Sequence, residues 1–319
     1  MQLPKIRAAL PPSVFVKSLT KSMFYLFFDF FIILSALALM MTVVNTEFWH
    51  AQSMLVKGVI TAVYWNVSGF FMWCLFVVGH DCGHTNFSEY ELLNDIVGHI
   101  CHAAIFVPYY PWRLSHHRHH MYHNHAQKDY SHPWHTEAYY EKPENSIPRF
   151  FKEHPMLRAT FPIYGWFLYL WGMPDGSHFF PFPQERMWMD STASDRFKCV
   201  LSTIVLIVAQ YGIYSFFNFN ASDIVFYYGI PVGVFGWWLV TVTYLQHHTP
   251  TTKVFNDSNW TFLEAAFETV DRTFGFGLDS LSHHITDGHV VHHLFFTKIP
   301  HYNLPEATNA LQKYMSENG

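Results

Sequence analysis

The chain is 319 residues long, with 50% hydrophobic, 19% aromatic and only 13% charged residues, a balance that excludes a disordered or collagenous protein. A net charge of −5 and 19 Lys+Arg residues leave no basic stripe for a phosphate backbone, so nucleic acid is excluded as a partner. The four cysteines, Cys74, Cys82, Cys101 and Cys199, form no CxxC pair, so neither a disulfide framework nor a thiolate zinc site is indicated.

A helix needs about 20 apolar residues to cross roughly 30 Å of hydrocarbon, and four stretches qualify: 24–44, 58–79, 199–217 and 224–245. One such stretch would also suit a buried helix of a large soluble α-protein. Four together predict an all-α integral membrane protein. Asp29, the one charge in the first stretch, reads as a snorkelling or capping residue. The shorter apolar runs at 96–110 and 161–172 are predicted to be interfacial or re-entrant helices. Orientation follows from the basic residues, since loops rich in them stay on the cytoplasmic side. Lys5, Arg7, Lys17 and Lys21 precede the first span, ten lie between Arg113 and Lys198, and Lys253, Arg272, Lys298 and Lys313 follow the fourth, while only Lys57 falls in an outer connection. Both termini and the long central segment are therefore predicted cytosolic. The expected architecture is four transmembrane helices in two hairpins, with a cytosolic helical cap built from 80–198 and 246–319. No apolar core precedes Phe24, so no cleavable signal peptide is expected.

Histidine is over-represented: 23 residues, more than lysine and arginine combined. His80 and His84 in HDCGH are four apart; His116, His119 and His120 in SHHRHH, and His289, His292 and His293 in HVVHH, are spaced i, i+3, i+4. On a helix these offsets put the imidazoles on one face, within reach of a shared ion. The predicted chain crosses the membrane not at all between the first two clusters and twice before the third, so all three share one side. Eight imidazoles exceed the roughly four ligands that one zinc ion takes, and two metal ions are the economical reading; imidazole suits Zn, Cu, Fe and Ni alike. The isolated His50, His99, His102, His154 and His178 read as hydrogen-bonded structural residues, and His123, His125, His132 and His135 fit a solvated, incidentally histidine-rich loop. A His-rich metal transporter is the rival class, but permeation sites need polar groups near the middle of the spans. Those middles hold no more than Ser, Thr, Asn and Gln.

With GHDCGH, VPYYPWRLSHHRHH, VTYLQHHTP, the TVDR stretch at Thr269–Arg272 and HHITDGHVVHHLFFTKIPHYNLPEAT, the chain resembles the membrane-bound fatty acyl desaturases. Within them it is most similar to the methyl-end group of delta-12 (omega-6) and omega-3 enzymes, over about Gly58 to Thr308. The resemblance implies a single desaturase domain over 1–319 and a non-haem di-iron centre held by His80, His84, His116, His119, His120, His289, His292 and His293. The ninth ligand it implies is His247, with His248 as the alternative. Asp81 and Asp287 are candidates to accept the outer N–H of a ligating imidazole, or simply to cap neighbouring helices; Asp271 and Arg272 could form an ion pair. Iron is the implied metal because an unactivated C–H bond demands redox chemistry that Zn²⁺ cannot supply. The implied reaction is O₂-dependent insertion of a cis double bond toward the methyl end of an unsaturated acyl-lipid or acyl-CoA. A hydroxylase or conjugase on the same fold is the alternative. The chain departs from the group in carrying Glu264–Ala265 where many relatives have Arg-Gly, and in lengthening the second box by His123 and His125. No HPGG-like haem motif is present, so electrons are expected from a separate donor: cytochrome b5 with its NADH reductase at the endoplasmic reticulum, or ferredoxin in a plastid or bacterium.

Overall fold

The computed structural model describes residues 2–132, 134–173 and 175–318, and the regular structure among them is helical, apart from one isolated β-bridge between His125 and Phe255. Among the described residues, four helices are long and apolar enough to cross a bilayer: α1 (Leu19–Val43), α2 (Met54–Gly83), α6 (Ala193–Phe216) and α7 (Ala221–His247). Between them lie α3 (Glu91–Ala104), α4 (Tyr109–Tyr122) and α5 (Pro155–Trp171); α8 (His289–Phe295) and α9 (Leu304–Asn318) follow. Each long helix begins at a polar cap: Ser18 accepts from Lys21 N, Ser53 from Val56 N, and Asn220 from Ser222 N and Asp223 N. Thr192 and Asp195 form a reciprocal capping box at the start of α6, satisfying two of the backbone donors that a helix start leaves free.

Helix α2 is the central element. Of its most apolar window 61% is buried, against 17% for α1 and 22% for α6. It packs against α1, α3 and α7. Close approach to α7 requires Gly69, where a Cβ would lie 2.5 Å from Val234 Cβ, and Gly79 makes room for the His102 ring in the same way, the use of small residues common between membrane helices. On α1, Phe24, Phe27, Phe31, Leu34 and Leu39 remain exposed, as do Ile204, Ile207, Val208 and Tyr211 on α6. Apolar area of that extent along membrane-length helices suits a lipid surround.

The 96–110 run becomes the corner of a broken helix pair: α3 and α4 meet at 105°, with Phe106 in the left-handed region at φ 65°. Pro108 starts the second arm. This corner matters because α4 carries the second histidine cluster. The 161–172 run lies within α5, which packs along α7.

Candidate metal centre

The three histidine clusters and the end of α7 converge. His80 near the end of α2, His84 at its C-cap, His116 and His120 on α4, and His292 on α8 place ring nitrogens within 4.8 Å of one another. His119 on α4, His247 at the end of α7 and His293 on α8 form a second group by the same measure. His289 joins it, its Nε2 lying 3.0 Å from His247 Nε2. Within the first group the Nε2 atoms of His80 and His84 are 3.2 Å apart, those of His116 and His120 3.1 Å, and those of His120 and His292 3.2 Å.

The chemistry of this donor set fits cations. Burial, reinforced by neighbouring imidazoles, pushes His84, His116, His120, His289, His292 and His293 well below the ordinary imidazole value. They are thus neutral and hold lone pairs ready for a metal. His293 is buried with both ring nitrogens unpartnered, an arrangement that costs free energy unless something fills it.

Asp129 is the carboxylate that sequence inspection missed. It is fully buried and lies 3.0 Å through each oxygen from His119 Nδ1. Burial works to raise its pKa, but pairing with His119 outweighs that and holds it below the usual carboxylate value. Its only sequence signal was an acid in a histidine-rich segment. Asp81 does reach the centre: Oδ1 is 3.7 Å from His80 Nδ1, while Oδ2 accepts from His301 Nδ1 at 2.8 Å and from the His301 backbone at 2.9 Å.

Asp287 corrects the expectation. Its carboxylate takes His284 Nδ1 at 3.1 Å, an i, i+3 pair at half-exposed positions, because the turn before α8 directs it back along the chain. Asp271 and Arg272 also part: Asp271 Oδ1 accepts from Val290 N at the start of α8, and Arg272 Nε donates to Leu245 O. The TVDR stretch thus ties the end of α7 to the helix bearing the third cluster.

Asp29 is neither snorkelling nor capping. It is fully buried, and His283 Nε2 lies 2.8 Å from its Oδ2, as an acid within a span requires a partner. The histidine-rich loop is not solvated either. His123 and His125 are buried, the His123 ring lies 4.8 Å from that of His293, His125 meets Asp257, and His135 stacks on Tyr139. His99 and His178 meet Ser202 and Ser115, as lone structural histidines do. His248 turns away from the second group, its Nδ1 on Tyr244 O and its ring against Trp134.

One wall of the centre opens on a cavity of about 530 Å³, lined by Trp73, Phe76, Trp112, Trp166 and Leu239 as well as His80, His116, His119, His247 and His289. That size is in the range of small-molecule sites. Fold and site together define a chain with membrane-length helices whose histidines are able to hold metal and look into an apolar chamber. The fatty acid desaturase family model matches residues 58–319, and the chain belongs to that family. It is 39% identical over 313 residues to the delta(12) fatty acid desaturase fat-2 of Caenorhabditis elegans, covering 97% of this chain and 78% of the relative. It is 38% identical to the omega-3 fatty acid desaturase fat-1 of the same nematode, over 99% of this chain and 74% of the relative. To an acyl-lipid omega-3 desaturase (cytochrome b5) of the endoplasmic reticulum of Arabidopsis thaliana it is 35% identical, over 96% and 74%. The chain is therefore an oxidoreductase, a fatty acid desaturase, and the transporter alternative falls.

Proposed function

We propose that this chain is an O₂-dependent di-iron desaturase that inserts a cis double bond toward the methyl end of an unsaturated acyl chain. The observation that carries this reading is the convergence of all three clusters, with His247, on one wall of an apolar cavity. His80, His84, His116, His120 and His292 would hold one iron, and His119, His247, His289 and His293 the other. Bound there, the iron pair supplies the redox chemistry with O₂ that breaking two adjacent unactivated C–H bonds requires. The chain's own residues do the rest. Asp129 fixes the tautomer and plane of His119, while Asp81, held by His301, places its negative charge 3.7 Å from His80 Nδ1. Trp73, Phe76, Trp112 and Trp166 give the acyl chain a dry wall against which one bond can be positioned.

The chain sits in the endoplasmic reticulum membrane as two hairpins, with termini and histidines facing the cytosol. It takes electrons from a separate cytochrome b5, the donor in the printed name of the Arabidopsis relative, which an NADH reductase would in turn supply. Basic residues on the predicted cytosolic side and the ER relatives support this placement.

Expression in a host that contains oleate but no linoleate, followed by separate feeding of linoleate, tests the reading. New dienes mean delta-12 action and new trienes omega-3 action; hydroxylated or conjugated products would replace the reading with its same-fold alternative.

A further inference from the structure

The two histidine groups are unequal, five imidazoles against four, and a tenth ring stands beside the smaller one. His132 lies in the connection between α4 and α5, outside the three clusters. Its ring centroid is 4.5 Å from that of His247 and 4.9 Å from that of His119. Those spacings match the ones within the second group itself: 4.7 Å for His119–His247, and 4.9 Å for both His247–His289 and His247–His293. His132 also lines the cavity shared by His119, His247 and His289.

The placement is built in. Asp129 holds His119 Nδ1 and, through Oδ1, also accepts from the backbone N–H groups of Ser131 at 3.2 Å and His132 at 3.1 Å. One buried carboxylate thus ties a histidine of the second group and the loop bearing His132 into a single unit. The hydrogen bonds seize the His132 backbone and leave its ring free to face His119 and His247.

We propose that His132 is an additional ligand of the second metal ion, with Asp129 as the residue that positions it together with His119. This inference rests on the di-iron reading above. Four imidazoles would leave the second ion less fully ligated than the first; His132 equalises the two groups from the side on which the cavity opens.

The test uses the purified full-length chain in lipid nanodiscs, loaded anaerobically with ferrous iron and then challenged with a chelator. Wild type is expected to hold two irons per chain. His132→Phe keeps the ring volume but removes both nitrogens. It is expected to release one of the two irons about 10- to 100-fold faster, the scale on which supporting groups tune metal sites, and to shift one of the two iron Mössbauer signals. Asp129→Asn should shift that same signal. His132→Gln repeats the measurement should the Phe variant aggregate. Release of both irons at wild-type rates, with an unchanged spectrum, would overturn the assignment. A wild-type chain holding fewer than two irons would instead overturn the di-iron reading beneath it.

Discussion

The two halves of the histidine centre are assembled differently. Four of the five rings in the first group come as two i, i+4 pairs, His80 with His84 and His116 with His120, so local helical geometry already brings each pair together. The second group contains one such pair, His289 with His293, and completes itself with His119 from α4 and His247 from the end of α7. Its carboxylate also works more directly: Asp129 sits on His119 through both oxygens at 3.0 Å, whereas Asp81 bonds His301 and stands 3.7 Å from His80. Both halves draw on three helices, but the first is prepared by two local pairs and the second by one, so the second leans more on its supporting carboxylate.

The severest test removes a ring from each half. His84→Ala and His119→Ala should each abolish desaturated product, read by gas chromatography of host lipids, while membrane insertion persists. A variant retaining full activity would remove that ring from the ligand set.

Next comes the metal-free chain under acid. Folded His84, His116, His120, His289, His292 and His293 titrate far below the ordinary value of 6.5, so below that pH the unfolded state binds more protons and stability falls with pH. The unfolding midpoint of apo protein should therefore drop steadily from about pH 6.5 toward pH 5, and bound metal should flatten the slope. A flat apo profile would mean the rings are not buried as neutral groups.

Outside both halves, Asp29→Ala leaves His283 buried without its partner and should cost about 3–5 kcal/mol, the usual penalty for breaking a buried pair, measured by thermal unfolding in detergent. Asp29→Leu combined with His283→Phe should recover much of that loss. Between the halves, Asp129→Asn should weaken metal retention about 10- to 100-fold and Asp81→Asn less, judged by chelator competition; the reverse order would contradict the contrast drawn above. Smallest of all, Asp287→Asn should alter stability by no more than about 0.5 kcal/mol, since half-exposed pairs contribute little.

How much was legible depended on how far apart partners lie in the chain. The four span lengths, the three clusters and their family resemblance are patterns within contiguous segments, and an apolar stretch or an i, i+3, i+4 repeat carries its meaning locally. His247 could be singled out because the LQHH motif is itself contiguous, and the fold places it beside His289. Asp287 misled for the same reason: nearness to His289 in sequence says nothing about where a turn sends a carboxylate.

The lengths of apolar sequence and the face on which each set of imidazoles falls follow from helix pitch and bilayer thickness, and so were set by the order of residues alone. Which buried polar groups meet was settled only when distant segments packed: Asp29 with His283 across 254 positions, Asp81 with His301 across 220. The physical reason is that desolvated charges and orphaned ring nitrogens must find partners, and a partner is selected by proximity in space, which no local pattern records.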